Sequence, residues 1–146
     1  MLPPIPIPQI VIDTNVVVAG LRSRNGSAFR LLGLVGSEQF QINLSVPLVL
    51  EYEEVLLREL PNLAMNVSDI QDFLDFHCAV ATHQQIFFLW RPFLLDPKDD
   101  MVLELAVNAR CDSVVTYNIR DFVGIEQFGV NAMTPAKFLE SIGALS

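Results

Sequence analysis

Asp13 follows the apolar run Ile10-Val11-Ile12 and so ends a predicted buried strand. In an open α/β sheet, ligands bind in the crevice beyond the carboxyl ends of the strands, and a carboxylate placed there points at that crevice. The same position suits a helix cap, because Asp-Thr-Asn can satisfy the free N–H groups of a following helix. Asp99 is a second acid of this kind. On a helix that includes it, Val102, Leu103, Ala106 and Ala109 form the apolar face, and Asp99 lies in phase with them. A carboxylate on a core-facing stripe is costly unless something positive satisfies it. The free N–H groups and dipole of a first turn give partial relief, so a folded-back cap is the alternative role. Asp100, about 100° further round, is expected to face solvent. Glu104 and Asn108 point away from the stripe, and Asp96, before Pro97, fits a turn.

Glu51 flanks the stripe Leu48, Tyr52, Val55 and Leu56, with Glu53 on its other side and Glu54 pointing away. Three glutamates there also fit a solvated first turn favoured by the helix dipole. Asp121 comes just after Thr116-Tyr117-Asn118-Ile119-Arg120, past a predicted strand ending at Thr116. Thr116 can face the crevice; Asp121 can equally be a loop acid capping the next turn.

Other chemistries lack their residues. No G-x-x-x-x-G-K-[ST] or G-x-G-x-x-G phosphate loop and no G-x-S-x-G elbow is present. His77 and His83 flank no cysteine pair, so a zinc site is not expected. His77 reads as a partly buried structural residue. Phe87, Phe88, Trp90 and Phe93, interrupted by Arg91-Pro92, read as core or dimer surface rather than a base-stacking array. Cys78 and Cys111 are too few for a disulfide framework, which makes a reducing cytoplasm the default setting.

The elements that must position these residues alternate between strand and helix. After an extended, Pro-rich lead-in over 1–8, strands are expected at Gln9–Asp13, Phe40–Leu44, Gln85–Leu89, Ser113–Thr116 and Val130–Met133. Helices are expected at Val16–Leu21 and Ala28–Val35, from Ser45-Val46-Pro47 to about Leu60, and from about Asp99 to Arg110. Ser68 with Gln71 looks like a capping box for a helix to about Ala81. Thr134, Pro135 and Gly143 frame the last helix as cap, first position and stop. This order gives an α/β domain with a mostly parallel sheet.

The chain has 146 residues, 9 basic and 17 acidic, for a formal net charge of −8. That length fits one domain, 1–146, with a genuine core. The acidity argues against a non-specific DNA coater. Mean hydropathy is high at +0.41, yet no apolar run approaches the roughly 20 residues of a membrane span. The hydropathy and segments such as Phe87-Phe88-Leu89-Trp90 point to a buried sheet and a homodimer surface.

The segments Ile10-Val11-Ile12-Asp13-Thr14-Asn15, Glu51-Tyr52-Glu53-Glu54-Val55-Leu56, Asp96-Pro97-Lys98-Asp99, Val114-Val115-Thr116-Tyr117-Asn118 with Arg120-Asp121-Phe122, and Thr134-Pro135-Ala136-Lys137-Phe138-Leu139 resemble, in order, those of the PIN-domain family. The branch resembled is the toxin component of bacterial toxin–antitoxin pairs. The resemblance implies a three-layer α/β/α sandwich with four or five mostly parallel strands. It also implies a carboxylate cluster binding Mg²⁺ or Mn²⁺, cleavage of RNA, and an antitoxin partner. Asp13, Glu51 and Asp99 match the family's first three acids, and Asn15 and Thr116 match polar residues that orient them. Many members carry Asp where this chain has Asn118; Asp121 is the nearest carboxylate that can stand in as catalytic and metal-binding residue.

The physics is compatible with that implication. Two carboxylates about 4 Å apart repel by roughly 4 kcal/mol at an effective dielectric of 20. A hard divalent cation relieves the repulsion and can lower the pKa of a bound water. A polyanionic substrate also needs cations. Arg22 and Arg24, with Arg30 nearby, surround the loop after the first predicted strand, and Arg120 adjoins Asp121; Arg22, Arg24 and Arg120 are the expected phosphate contacts. Competing readings are a catalytically silent binding module, kept open by Asn118, and another phosphate enzyme using Asp13. For the latter, Asn15 stands where a dehalogenase-type phosphatase needs Asp, and Lys137 lies too far on for a receiver.

Overall fold

The computed structural model describes residues 6–85 and 93–144. Five short parallel strands form one sheet: β1 (Gln9–Ile12), β2 (Gln41–Leu44), β3 (Thr82–His83), β4 (Ser113–Val115) and β5 (Asn131–Met133), in the order β3-β2-β1-β4-β5. Ile10, Val11, Val114 and Val115 are wholly buried, as expected where both faces of a parallel sheet are covered. β1 is central, with Ile10 opposite Ile42 on one side and Ser113 on the other.

Six α-helices cover the sheet: α1 (Thr14–Arg22), α2 (Ser27–Gly33), α3 (Val46–Arg58), α4 (Val67–Val80), α5 (Pro97–Asn108) and α6 (Pro135–Ser141). From β1 to β3 the chain steps outward to one edge, then crosses back to β4. Right-handed crossovers therefore put α1 to α4 on one face and α5 on the other. Packing agrees: α1 lies against α2 and α3, α2 against α6, and α5 against β1, β2 and β4. The result is a three-layer α/β/α sandwich. Its switch point, where the strand order reverses, falls between β1 and β4, which fixes where a crevice opens.

Local chemistry explains most boundaries. Ser45 caps α3 by accepting from Leu48 N at 3.3 Å, and Thr134 caps α6 by accepting from Lys137 N at 3.2 Å. Gly143 turns the chain out of α6 with φ of 72°. α1 and α2 meet so closely that a Cβ on Gly20 would stand 2.5 Å from Leu32 Cδ1 and 3.1 Å from the Ala28 backbone. Phe40 and Phe138 meet edge to face at 5.4 Å, tying the approach to β2 to α6.

Several expectations are corrected. The capping box of α4 is built by Asn66 and Asp69, not Ser68 and Gln71. Asn66 Oδ1 accepts from Asp69 N and Asp69 Oδ2 accepts from Asn66 N, each at 2.9 Å, so the helix starts earlier. β3 lies at Thr82–His83; the expected strand to Leu89, and with it Phe87, Phe88 and Trp90, lies outside the described residues beyond Gln85. Glu104 is buried rather than turned outward, because α5 is enclosed on several sides over Val102–Ala106. His77 is buried, with Nδ1 bonded to Phe73 O at 2.9 Å and Phe73 packed on its ring; burial lowers its pKa. Cys78 and Cys111 are free, and burial pushes the Cys111 thiol up to about 12. Among the described residues no helix is long and apolar enough to cross a membrane.

Candidate active site

The end of β1 delivers Asp13 to the switch point. Its N–H donates to Val115 O at 2.9 Å, which ties the carboxyl ends of β1 and β4 together. Asp13 is the N-cap of α1, with Oδ1 accepting from Thr14 N at 2.9 Å. The cap and crevice roles coexist because they use different oxygens. Oδ2 takes the Thr116 hydroxyl at 2.8 Å and Asn15 Nδ2 at 3.1 Å. Burial nevertheless raises the Asp13 pKa; the bonds from Thr116 and Thr14 oppose the rise, and the charge of Glu51 adds to it.

Thr116 lies just past β4 and is fully buried. While its hydroxyl donates to Asp13, the same oxygen accepts from Asn118 N at 2.9 Å and from Asn15 Nδ2 at 3.3 Å. Asn15 Oδ1 accepts from Tyr117 N at 3.1 Å. Asn15 and Thr116 thus clamp one oxygen of Asp13 and fix the backbone that leaves β4.

Glu51 reaches the same place from α3, where Leu48, Tyr52 and Leu56 anchor the inner face. Its side chain is only 11% exposed, so the solvated-turn alternative does not describe it. Oε2 accepts from the Thr14 hydroxyl at 2.5 Å, and Lys98 Nζ lies 3.8 Å from Oε1. The buried Tyr52 hydroxyl donates to the Ile12 carbonyl at the end of β1. Burial, then the charges of Asp13 and Glu51, hold that phenol well above its usual pKa. Thr14, Tyr52 and Lys98 were not singled out by the sequence. Thr14 and Lys98 lie inside the matching segments, but their partners are distant in the chain.

α5 carries the third acid. Asp96 caps it, with Oδ1 accepting from Lys98 N at 2.9 Å, and Asp99 stands in its first turn. Burial pushes the Asp99 carboxyl up, and the negative charges of Asp13, Asp96, Asp121 and Glu51 add to bring it to about 7. Asp100, expected in solvent, is half-buried: its Oδ1 accepts from Phe93 N at 3.1 Å and Leu94 N at 2.8 Å. It pins the chain that leads into α5.

Asp121 lies exposed on a 3₁₀ turn, Ile119–Phe122, held by the buried Phe122. With Asp96, Asp99 and Arg120 it lines a cleft of about 330 Å³. Asn118, exposed, precedes that turn and accepts from Asp121 N through its backbone oxygen at 2.9 Å. Asp13, Glu51, Asp99 and Asp121 therefore converge on one crevice, with Arg120 beside them. Arg22 and Arg24 do not join them. α1 begins at the site and runs nine residues away, which at 1.5 Å per residue carries Arg22 about 13 Å off. Arg30 donates to Ala144 O at 3.3 Å, toward the chain's end.

Every oxygen here belongs to a hard donor, which suits Mg²⁺ or Mn²⁺ chemically. Among the described residues, however, no three Asp, Glu, His or Cys side chains close into a ready-made metal cage. Asp13 and Glu51 already have protein partners, Thr116 and Asn15 on the one and Thr14 and Lys98 on the other.

The family model described as "PIN domain" matches residues 9–120. Among solved structures, the crystal structure of VapBC2 from Rickettsia felis bound to a DNA fragment from their promoter has a similar fold. Its TM-score is 0.58 at 15% identity, over 85% of this chain and 98% of that chain. No curated protein matches the sequence significantly.

Proposed function

We propose, from the premise that the chain belongs to the PIN domain family, that it is a metal-dependent ribonuclease that cuts RNA phosphodiester bonds. The observation that carries this reading is the convergence of Asp13, Glu51, Asp99 and Asp121 at the switch point, where burial first and the neighbouring negative charges second raise Asp99 to about 7. A bound cation offsets that mutual repulsion.

Asp13, Glu51, Asp99 and Asp121 would hold Mg²⁺ or Mn²⁺. The ion, when bound, supplies charge neutralisation at the phosphate and a water of lowered pKa. The protein's part is positioning. Thr116 and Asn15 fix Asp13, Thr14 fixes Glu51, and the Asp96 cap sets the start of α5 and with it Asp99. Arg120 lines the cleft and contacts a substrate phosphate, which gives affinity without sequence choice.

The whole chain acts as one domain in this reading, in the cytoplasm. It is the toxin of a toxin–antitoxin pair, with an antitoxin that restrains it, a role that rests on the resemblance to that branch. A homodimer is inferred from the apolar side chains left exposed on α3, such as Val46 and Leu50. A monomer by light scattering at micromolar concentration counts against it.

One observation favours a second reading, a silent binding module of the same fold. Asn118 replaces an expected acid, and both oxygens of Glu51 already have partners. The deciding experiment is cleavage of a mixed single-stranded RNA panel with Mn²⁺, Mg²⁺ or EDTA, beside Asp99→Asn. Metal-dependent cutting that vanishes in the variant supports the nuclease. No cutting with any metal, together with no Mn²⁺ binding by calorimetry, leaves the silent module.

A further inference from the structure

An acid cluster can engage one phosphate through a cation but repels the rest of a polyanion. The chain's net charge is −8. Among the described residues Arg120 is the one cation lining either of the two clefts that meet at Asp121. Duplex binding depends on many phosphate contacts, and a surface this short of cations must take its affinity from somewhere else.

The second cleft, about 750 Å³, runs along Tyr117 to Val123. Tyr117 is 45% exposed. Among the described residues no ring packs on it and nothing bonds its hydroxyl. Phe93, also exposed beside the site, is different: it packs edge to face on Phe128 at 5.1 Å. The Tyr117 backbone is held in place, with its N–H on Asn15 Oδ1 and the preceding Thr116 hydroxyl on Asp13. A partly exposed aromatic ring, unstacked among the described residues, therefore stands on a fixed backbone beside the acid cluster.

We propose that Tyr117 is a base platform: the unpaired base of a nucleotide next to the cleaved phosphodiester stacks on its ring. Stacking tolerates any base, since each has a π face, and it needs no added positive charge. A duplexed base is already stacked on its neighbours and cannot use the ring. The inference rests on the nuclease reading and adds how the cleft grips its substrate.

The test uses the Asp99→Asn chain, which on the nuclease reading is unable to cut, and a short single-stranded RNA carrying 2-aminopurine, with Mg²⁺ present. Binding is expected to quench the probe. Adding Tyr117→Ala is expected to weaken affinity roughly 5- to 150-fold, the loss of one base–aromatic stack, and to abolish the quench. Tyr117→Phe keeps both, and a duplex of the same sequence shows no difference between Tyr and Ala. In the active chain Tyr117→Ala raises KM and leaves kcat within about two-fold, because uniform binding is lost. Equal affinity and equal quench for Tyr117→Ala overturns the platform while leaving the nuclease intact. Absence of both RNA binding and RNA cutting by the parent chain overturns the nuclease reading, and the platform with it.

Discussion

The Thr14 hydroxyl donates to Glu51 Oε2 at 2.5 Å, joining the first residue of α1 to the middle of α3. One residue earlier Asp13 is clamped by Thr116 and Asn15. Adjacent residues thus carry the two carboxylate contacts that relate three elements of the site. Thr14→Val keeps the shape and removes the donor. A part-buried carboxylate oxygen then lacks its partner, which costs about 1–3 kcal/mol in urea unfolding. If Glu51 holds the metal as proposed, loss of the residue that orients it is expected to weaken Mn²⁺ binding about 10- to 100-fold. Unchanged Mn²⁺ affinity would show that Glu51 is oriented without Thr14.

The metal-free chain should lose stability as pH rises from the acid range toward neutrality. Asp99 has a folded pKa of about 7, above its ordinary value of 3.8, and Asp13 is raised as well. Between those values the folded chain holds protons that the unfolded chain has released. The stabilisation is therefore complete below the unfolded pKa and is lost as pH climbs through the folded one. In EDTA the melting temperature should fall from about pH 4 to about pH 7 and level off above, and Asp99→Asn should flatten that slope. Mg²⁺ should recover the loss on the alkaline side, since a ligand bound only by the folded state stabilises it.

Lys98 sits 3.8 Å from Glu51 with a side chain 60% exposed. An exposed ammonium contributes little to stability, within about 1 kcal/mol. It nonetheless competes with any cation for the same carboxylate. Lys98→Met should leave the melting temperature nearly unchanged in EDTA and tighten Mn²⁺ binding in calorimetry. Weaker Mn²⁺ binding in the variant would mean that the lysine helps to assemble the site.

The strands are readable because Ile10-Val11-Ile12 and Val114-Val115 are buried on both faces and so are continuously apolar. Asp13 and Asp99 were readable because each breaks an apolar pattern. Tertiary partners were not readable. Asp100 looked solvent-facing because helical phase says nothing of the 93–94 backbone folding over it. Arg22 and Arg24 looked close to the site because they are close in sequence, and a helix of nine residues separates them in space. The Ser68–Gln71 pair fits the usual S/T-x-x-E/Q capping pattern, whereas the box actually built uses Asn66 and Asp69, which that pattern leaves out.

Asn118 and Asp121 divide the question of the fourth acid. Asn118 follows the clamp directly, since its N–H bonds Thr116 Oγ1 at 2.9 Å, and a carboxylate there would lie near the fixed Asp13. Asp121 stands three residues on, lines the cleft with Asp99, and contributes to the raised pKa of Asp99. If Asp121 supplies the missing ligand, Asp121→Asn should cut RNA at least about 100-fold more slowly, beyond the usual effect of an outer-shell change. Asn118→Asp in that background should then recover cutting, because it returns an oxygen donor of the same charge to the same turn. Its metal-free form should also melt lower at alkaline pH than Asp121→Asn alone, from the added repulsion beside Asp13. Paired RNA cleavage and melting curves for the two variants measure both effects. Full activity in Asp121→Asn would remove Asp121 from the site and leave three acids to hold the ion.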